Sequence, residues 1–220
     1  MTHRFAVLED PAPPDKVEAS LLRNDGSLIL PRPRVSDGKS LMRALKERHS
    51  SRELARGQLP MQLLSDLLWA AFGVNRTSER GRTAPSAVSW LEIDIYVALR
   101  EGVYVFDSVR HALMFRLGED VRAGTKTQDF VSEAPLELVY VADFARVKDA
   151  SDVDKLVCSA YSVADARFIA ENVCLFCAAE GLATVVRRFI DRSPLSRALR
   201  LAPDQRIVLA QTVGFPAASA

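Results

Sequence analysis

Two distant segments carry residue types suited to chemistry: Arg48-His49-Ser50-Ser51-Arg52 and Arg82-Thr83-Ala84-Pro85-Ser86-Ala87-Val88-Ser89-Trp90. The first offers guanidinium forks and hydroxyls to a terminal phosphate, because arginine meets phosphate bidentately and stays charged at any physiological pH. The second is a small-residue loop whose backbone could approach a flat ring, and Pro85 stiffens it by lowering the entropy of the unfolded chain. A third segment, Glu180-Gly181-Leu182-Ala183, follows the longest helical pattern, where glycine permits a turn. Each also has a plainer local reading. Arg48 to Arg52 is equally a solvated helix end, Pro85 to Ala87 a turn feeding a strand, and Gly181 a helix C-cap. Trp90 either narrows a pocket or is a structural aromatic.

These segments must be positioned by an ordinary core. The chain has 220 residues, 48% of them apolar, enough for one domain or two small ones. Its 29 basic and 28 acidic residues give a formal charge of +1, so an anion site must be local and no overall field points to nucleic acid. No apolar run suits a bilayer span and the opening Met1-Thr2-His3-Arg4 is unlike a signal peptide, so a cytoplasmic protein without membrane contact is expected. Cys158, Cys174 and Cys177 lack a zinc-ligand pattern with His3, His49 and His111, and read as buried thiols.

Proline punctuation over residues 1–38, with Asn24-Asp25-Gly26 as a turn, predicts an extended arm before a single domain at 39–220. Leu41, Ala44, Leu45 and Arg48 predict a short helix ending at the basic segment, and Pro60 opens a second helix that Gly73 ends. Ser78 to Pro85 reads as a loop, and Ile93 to Leu99 as a strand turning at Glu101-Gly102 into Val103 to Phe106. His111 to Leu117 is a short helical candidate, and Leu136 to Val141 and Arg206 to Val213 are strands. The longest helix is expected to open at Ser162, with Asp165 in a capping-box position, and to stop at Gly181. Without regular strand–helix alternation the pattern predicts an α+β fold.

Arg48-His49-Ser50-Ser51-Arg52, Arg82 to Ala87 before a hairpin, Glu180-Gly181-Leu182, and the closing Val213-Gly214-Phe215-Pro216 together resemble the nitroreductase family of flavin enzymes. The resemblance runs from about Lys39 to Pro216 and looks closest to the branch with the SagB-type peptide-azoline dehydrogenases. It implies a mixed or antiparallel sheet flanked by helices, in a homodimer whose two FMN sites lie at the subunit interface. It also implies that Arg48, Ser50 and Arg52, with His49 alongside, grip the flavin phosphate and ribityl chain. Pro85, Ser86, Ala87 and Ser89 would lie along the flavin from the partner subunit. Gly181, Leu182 and Ala183 would present amides to the N5 and O4 edge. Many relatives place a further cation beyond their last strand, where this chain has Ala217 to Ala220, so Arg197, Arg200 or Arg206 is expected to substitute or the contact to be weaker. The arm is expected to cover part of the dimer interface.

The resemblance implies hydride transfer from NADH or NADPH through FMN to a nitroaromatic, quinone or similar small conjugated acceptor. The flavin carries that chemistry, so no catalytic side chain is assigned. A SagB-like dehydrogenase of peptide azoline rings is a second reading, with Lys126 or Tyr161 as candidate base, and a non-catalytic flavin-binding protein is a third.

Overall fold

The computed structural model describes residues 25–217, apart from 37, 78–80, 123–133, 148–154 and 188. Helix α1 spans Leu41–Glu47; the Ser40 side chain accepts from Arg43 N at its start, and Arg48 is its C-cap. Helix α2 spans Met61–Phe72 between Pro60 and Gly73, with Leu64, Leu67, Leu68, Ala71 and Phe72 inward at helical spacing. A small ribbon, β2 (Val74–Arg76) with β3 (Gly81–Arg82), occupies part of the segment expected to be loop.

The main sheet contains β1 (Leu28–Ile29), β4 (Ile93–Leu99), β5 (Gly102–Asp107), β6 (Ala112–Leu117), β7 (Leu136–Asp143), β8 (Ala183–Arg187) and β9 (Gln205–Gly214). Its order is β1-β6-β5-β4-β7-β9-β8, and every pairing among the described residues is antiparallel. Helix α3, Lys155–Glu180, and α2 cover one face; α4, Arg192–Ala198, covers the other. Alternation along β4 and β7 divides the core. Ile93, Ile95, Leu136, Leu138 and Tyr140 join α2 and α3, while Tyr96, Ala98, Val139 and Val141 meet Leu195 and Leu199 around α4.

Two expectations need correction. Ala112–Leu117 is strand β6, paired with β5 and β1, where a helix was expected. Asp107 Oδ1 accepts from Val109 N and Arg110 N, and His111 at φ 50° closes the turn, so hairpin geometry overrides the local helical pattern. Helix α3 opens at Lys155, seven residues before Ser162, so Ser162 and Asp165 lie inside it and cap nothing. Strand β8 and helix α4 had no counterpart in the sequence reading.

The described part of the arm is committed to its own chain. Leu28 and Leu30 are buried in the main core, Ser65 Oγ donates to Pro31 O at 2.5 Å, and Arg34 pairs with Asp66 at 2.7 Å. The expected turn falls partly outside the described residues. Within them Asp25 Oδ1 accepts from Ser27 N at 2.9 Å, and Gly26 has φ 77°.

Candidate functional site

The basic segment leaves α1 and runs along the end of the sheet. Ser51 N donates to Thr184 O at 2.9 Å, Ala55 N to Phe215 O at 2.8 Å, and Ala217 N to Glu53 O at 3.1 Å. Charges near it are sorted by pairing. Glu47 accepts from Lys39 Nζ at 2.8 Å and Arg43 Nε at 2.7 Å. Those bonds, Lys39 first and Arg43 next, hold its carboxyl down at about 2. Arg48 has only a long 3.9 Å approach to Glu171, while Ser50 and Arg52 are exposed. His49 Nδ1 lies 2.8 Å from Glu47 O; a carbonyl only accepts, so Nδ1 carries the proton and the ring's other edge faces outward.

The third segment adjoins the first. Gly181, at φ 73°, ends α3 as Leu182 N closes on Cys177 O at 2.8 Å, satisfying a terminal carbonyl. No atom lies within 4 Å of where a Cβ on Gly181 would stand, so space is open above it. Beneath is a buried polar network. Tyr140 OH donates to Gln211 Oε1 at 2.6 Å, Gln211 Nε2 to Thr184 Oγ1 at 3.0 Å, and Thr184 Oγ1 to Thr212 O at 2.9 Å. With its members bonded, such a network stiffens the strand that carries the turn. Glu137, Thr212 and Arg187 extend it, with Arg187 ion-paired to Glu137.

The small-residue loop is held elsewhere. Ala87 N donates to Asp165 Oδ2 at 2.8 Å, and the Ser86 side chain lies beside the same carboxylate. Leu91 N in turn donates to Ser86 Oγ at 3.0 Å. Val88, Ser89 and Leu91 all have positive φ, 52°, 56° and 53°, a region that disfavours side chains and most of all a β-branched one. Trp90 packs against Tyr161 of α3, ring centroids 5.8 Å apart, leaving Val88 and Ser89 exposed. Glu92 is fully buried behind the loop, and neither of its oxygens completes a hydrogen bond, although Ser162 lies beside it. Burial raises the Glu92 and Asp165 carboxyls above their ordinary range.

Within one chain, Arg48 to Arg52 and Gly181 to Ala183 therefore meet, while Pro85 to Ser89 stand apart. Sixteen residues of α3 separate Asp165 from Gly181, about 24 Å of helix axis. Arg206 cannot join the basic segment of its own chain. It pairs with Ala142, whereas Thr184 pairs with Val213, seven residues or about 23 Å along β9. Arg200 approaches Glu119 at 3.4 Å, and Arg197 lies on α4 beside the far end of the sheet. Glu92, Gln211 and Thr184 escaped sequence reasoning, and Asp165 was read only as a cap. Their signal was polarity at inward positions of apolar elements, which periodicity alone does not rank.

Cys158, Cys174 and Cys177 are free and buried, and burial pushes the Cys174 thiol up to about 11 and that of Cys177 higher. Among the described residues no group of three or more His, Cys, Asp or Glu could hold a metal ion. No described helix is long and apolar enough to cross a membrane.

The sequence profile described as the Nitroreductase family matches residues 45–215. A protein of Methanocaldococcus jannaschii, provisionally named a nitroreductase, is 33% identical over 152 residues, covering 64% of this chain and 74% of that one. Among solved structures, a protein from Ralstonia eutropha JMP134 with the same provisional name superposes with TM-score 0.82 at 42% identity, covering 88% and 90% of the two chains. Nitroreductase A of Vibrio parahaemolyticus gives TM-score 0.61 at 17% identity over 82% of this chain and 70% of that one, a likeness of fold alone.

Proposed function

The chain belongs to the nitroreductase family, and from that premise we propose an FMN-dependent homodimer that takes hydride from NADH or NADPH and passes it to a nitroaromatic, quinone or similar conjugated acceptor. When bound, FMN would supply the centre that accepts and gives up hydride. The chain's residues supply grip, orientation and a flat slot. Arg48 and Arg52 would hold the phosphate with Ser50 and His49 beside them, since the neighbouring cations Lys39 and Arg43 are already paired with Glu47. Gly181 and Ala183 would border the ring edge; the Leu182 amide is engaged with Cys177, so Leu182 would contribute position only. Pro85, Ser86, Ala87 and Ser89 would cover the ring from the second copy.

One observation carries this reading: the uncommitted donors of Arg48 to Arg52 are pinned, through Ser51 and Thr184, directly beside an open glycine turn. The second copy is supported by apolar surface. Val157, Tyr161, Ala164 and Phe168 recur along α3 at spacings of four, three and four residues, and Val157, Tyr161 and Phe168 are 38%, 40% and 50% exposed. Met42 of α1 is 74% exposed and Val88 72%. A long helix apolar on both faces, with a seam of this period, fits helix packing against another copy.

The test is direct. Purified protein is expected to be yellow, to release FMN and no FAD on denaturation, and to oxidise NADH or NADPH when a quinone is added. A colourless protein that binds no added FMN would overturn the proposal, and one that binds FMN without turnover would favour a non-catalytic flavin protein. Turnover of a peptide azoline in preference to quinone would favour the SagB-like reading. For that reading Tyr161 borders the loop beside Trp90, and Lys126 lies outside the described residues.

A further inference from the structure

We propose that Asp165 is a positioning residue for the flavin, a buried carboxylate on α3 that locks the ring-covering loop into the strained shape its function requires. The inference rests on the flavin reading above. Asp165 is 2% exposed and sits mid-helix, where it serves no cap. Its carboxylate is turned to the loop: Oδ2 accepts Ala87 N at 2.8 Å, and beside it Ser86 Oγ accepts Leu91 N at 3.0 Å. The bonded positions, 86, 87 and 91, bracket the left-handed residues Val88, Ser89 and Leu91.

That distribution has a physical logic. Each left-handed non-glycine residue is unfavourable by about 1–2 kcal/mol, so three within four positions would relax unless the surroundings fixed them. Hydrogen bonds to a charged group are the stronger kind, and the carboxylate acts at the entry of the strained run while Ser86 Oγ holds its exit. Exposed Val88 and Ser89 gain no burial from the strain. They stand exposed next to Trp90, which packs on Tyr161 of the α3 seam that would meet a second copy. Ser86 thereby serves the loop's own shape through Leu91 N besides lining the proposed cover of the ring.

The experiment uses full-length protein with Asp165→Ala, Asp165→Asn and Ser86→Ala, reading amide hydrogen exchange over residues 86–91, FMN affinity by titration, and the visible circular dichroism of bound FMN. Asp165→Ala is expected to speed exchange at Ala87 and to weaken FMN binding by roughly 10- to 100-fold, with an altered flavin dichroism. Asp165→Asn keeps an acceptor for Ala87 N and is expected to restore affinity to within about threefold and the dichroism to wild type, a rescue that loss of stability alone would not show. Ser86→Ala, which removes only the Leu91 acceptor, is expected to expose the Leu91 amide and weaken FMN less. Unchanged exchange at Ala87 in Asp165→Ala overturns the clamp, whatever the cofactor. Faster exchange with wild-type FMN affinity and dichroism overturns the positioning role. Failure of the wild-type protein to bind FMN overturns the flavin reading and the positioning role with it, while the exchange result still reports the clamp.

Discussion

Arg48 and Arg52 differ from the cations around them in what already pairs with them. Lys39 and Arg43 share Glu47, whereas Arg48 approaches Glu171 only at 3.9 Å and Arg52 is exposed. Replacing either by alanine is expected to leave secondary structure intact and to cost about 1.5–3 kcal/mol of FMN binding, roughly 10- to 150-fold by flavin titration. Near-wild-type affinity in both variants would place the phosphate elsewhere. Glu92 makes the opposite kind of prediction. Burial lifts its folded-state pKa above the ordinary 4.5, so the folded protein holds a proton that the unfolded chain releases. Its contribution is therefore fully present below about pH 4.5 and is lost as pH climbs through the raised value. Glu92→Gln is expected to melt higher than wild type at pH 8 and to converge with it as pH falls toward 4.5. Parallel melting curves across that range would show that Glu92 is not the titrating group.

At the level of elements, α3 organises everything else: it carries the Asp165 clamp near its middle and delivers the Gly181 turn at its end. Gly181→Ala is expected to destabilise the fold by about 1–2 kcal/mol, because φ 73° is left-handed while the space above is open, so backbone strain and no clash is the cause. The new methyl would stand where the ring edge is proposed to lie, so FMN affinity should fall in the same variant. Urea unfolding and flavin titration on one preparation separate the two effects. The elements legible in the sequence were those whose period or punctuation is local: α1, α2, the β4–β5 hairpin, β7 and β9. Strand β6 was misread because its identity comes from partners on both sides, with Phe115 and Arg116 left exposed between buried ends. The two halves of the site that lie in one chain were legible as motifs, but nothing local shows that Ser51 and Thr184 touch. Asp165 was seen, and assigned to the wrong task, because a capping box and a mid-helix clamp share the same residue types.

For the whole molecule, the exposed seam of α3 would tie assembly to cofactor in the proposed dimer. Phe168→Asp places a charge at a 50%-exposed position that the single chain does not need for its own core. It is expected to yield folded monomer in sedimentation, with FMN affinity reduced about tenfold or more, since a ligand bound across two chains stabilises their union by linkage. A folded monomer that keeps tight FMN and oxidises NADH would defeat the shared site. The 24 Å between the Asp165 clamp and the Gly181 turn along α3 has one more consequence, genetic in form. If each site takes its phosphate grip from one copy and its cover from the other, a lesion in Arg48 and a lesion in the Pro85 to Ser89 loop are complementary. Two inactive variants, unfolded together and refolded as a mixture, would form hybrid dimers in which one site inherits both lesions and the other inherits neither. Random reassortment would then return about a quarter of wild-type sites from two dead parents.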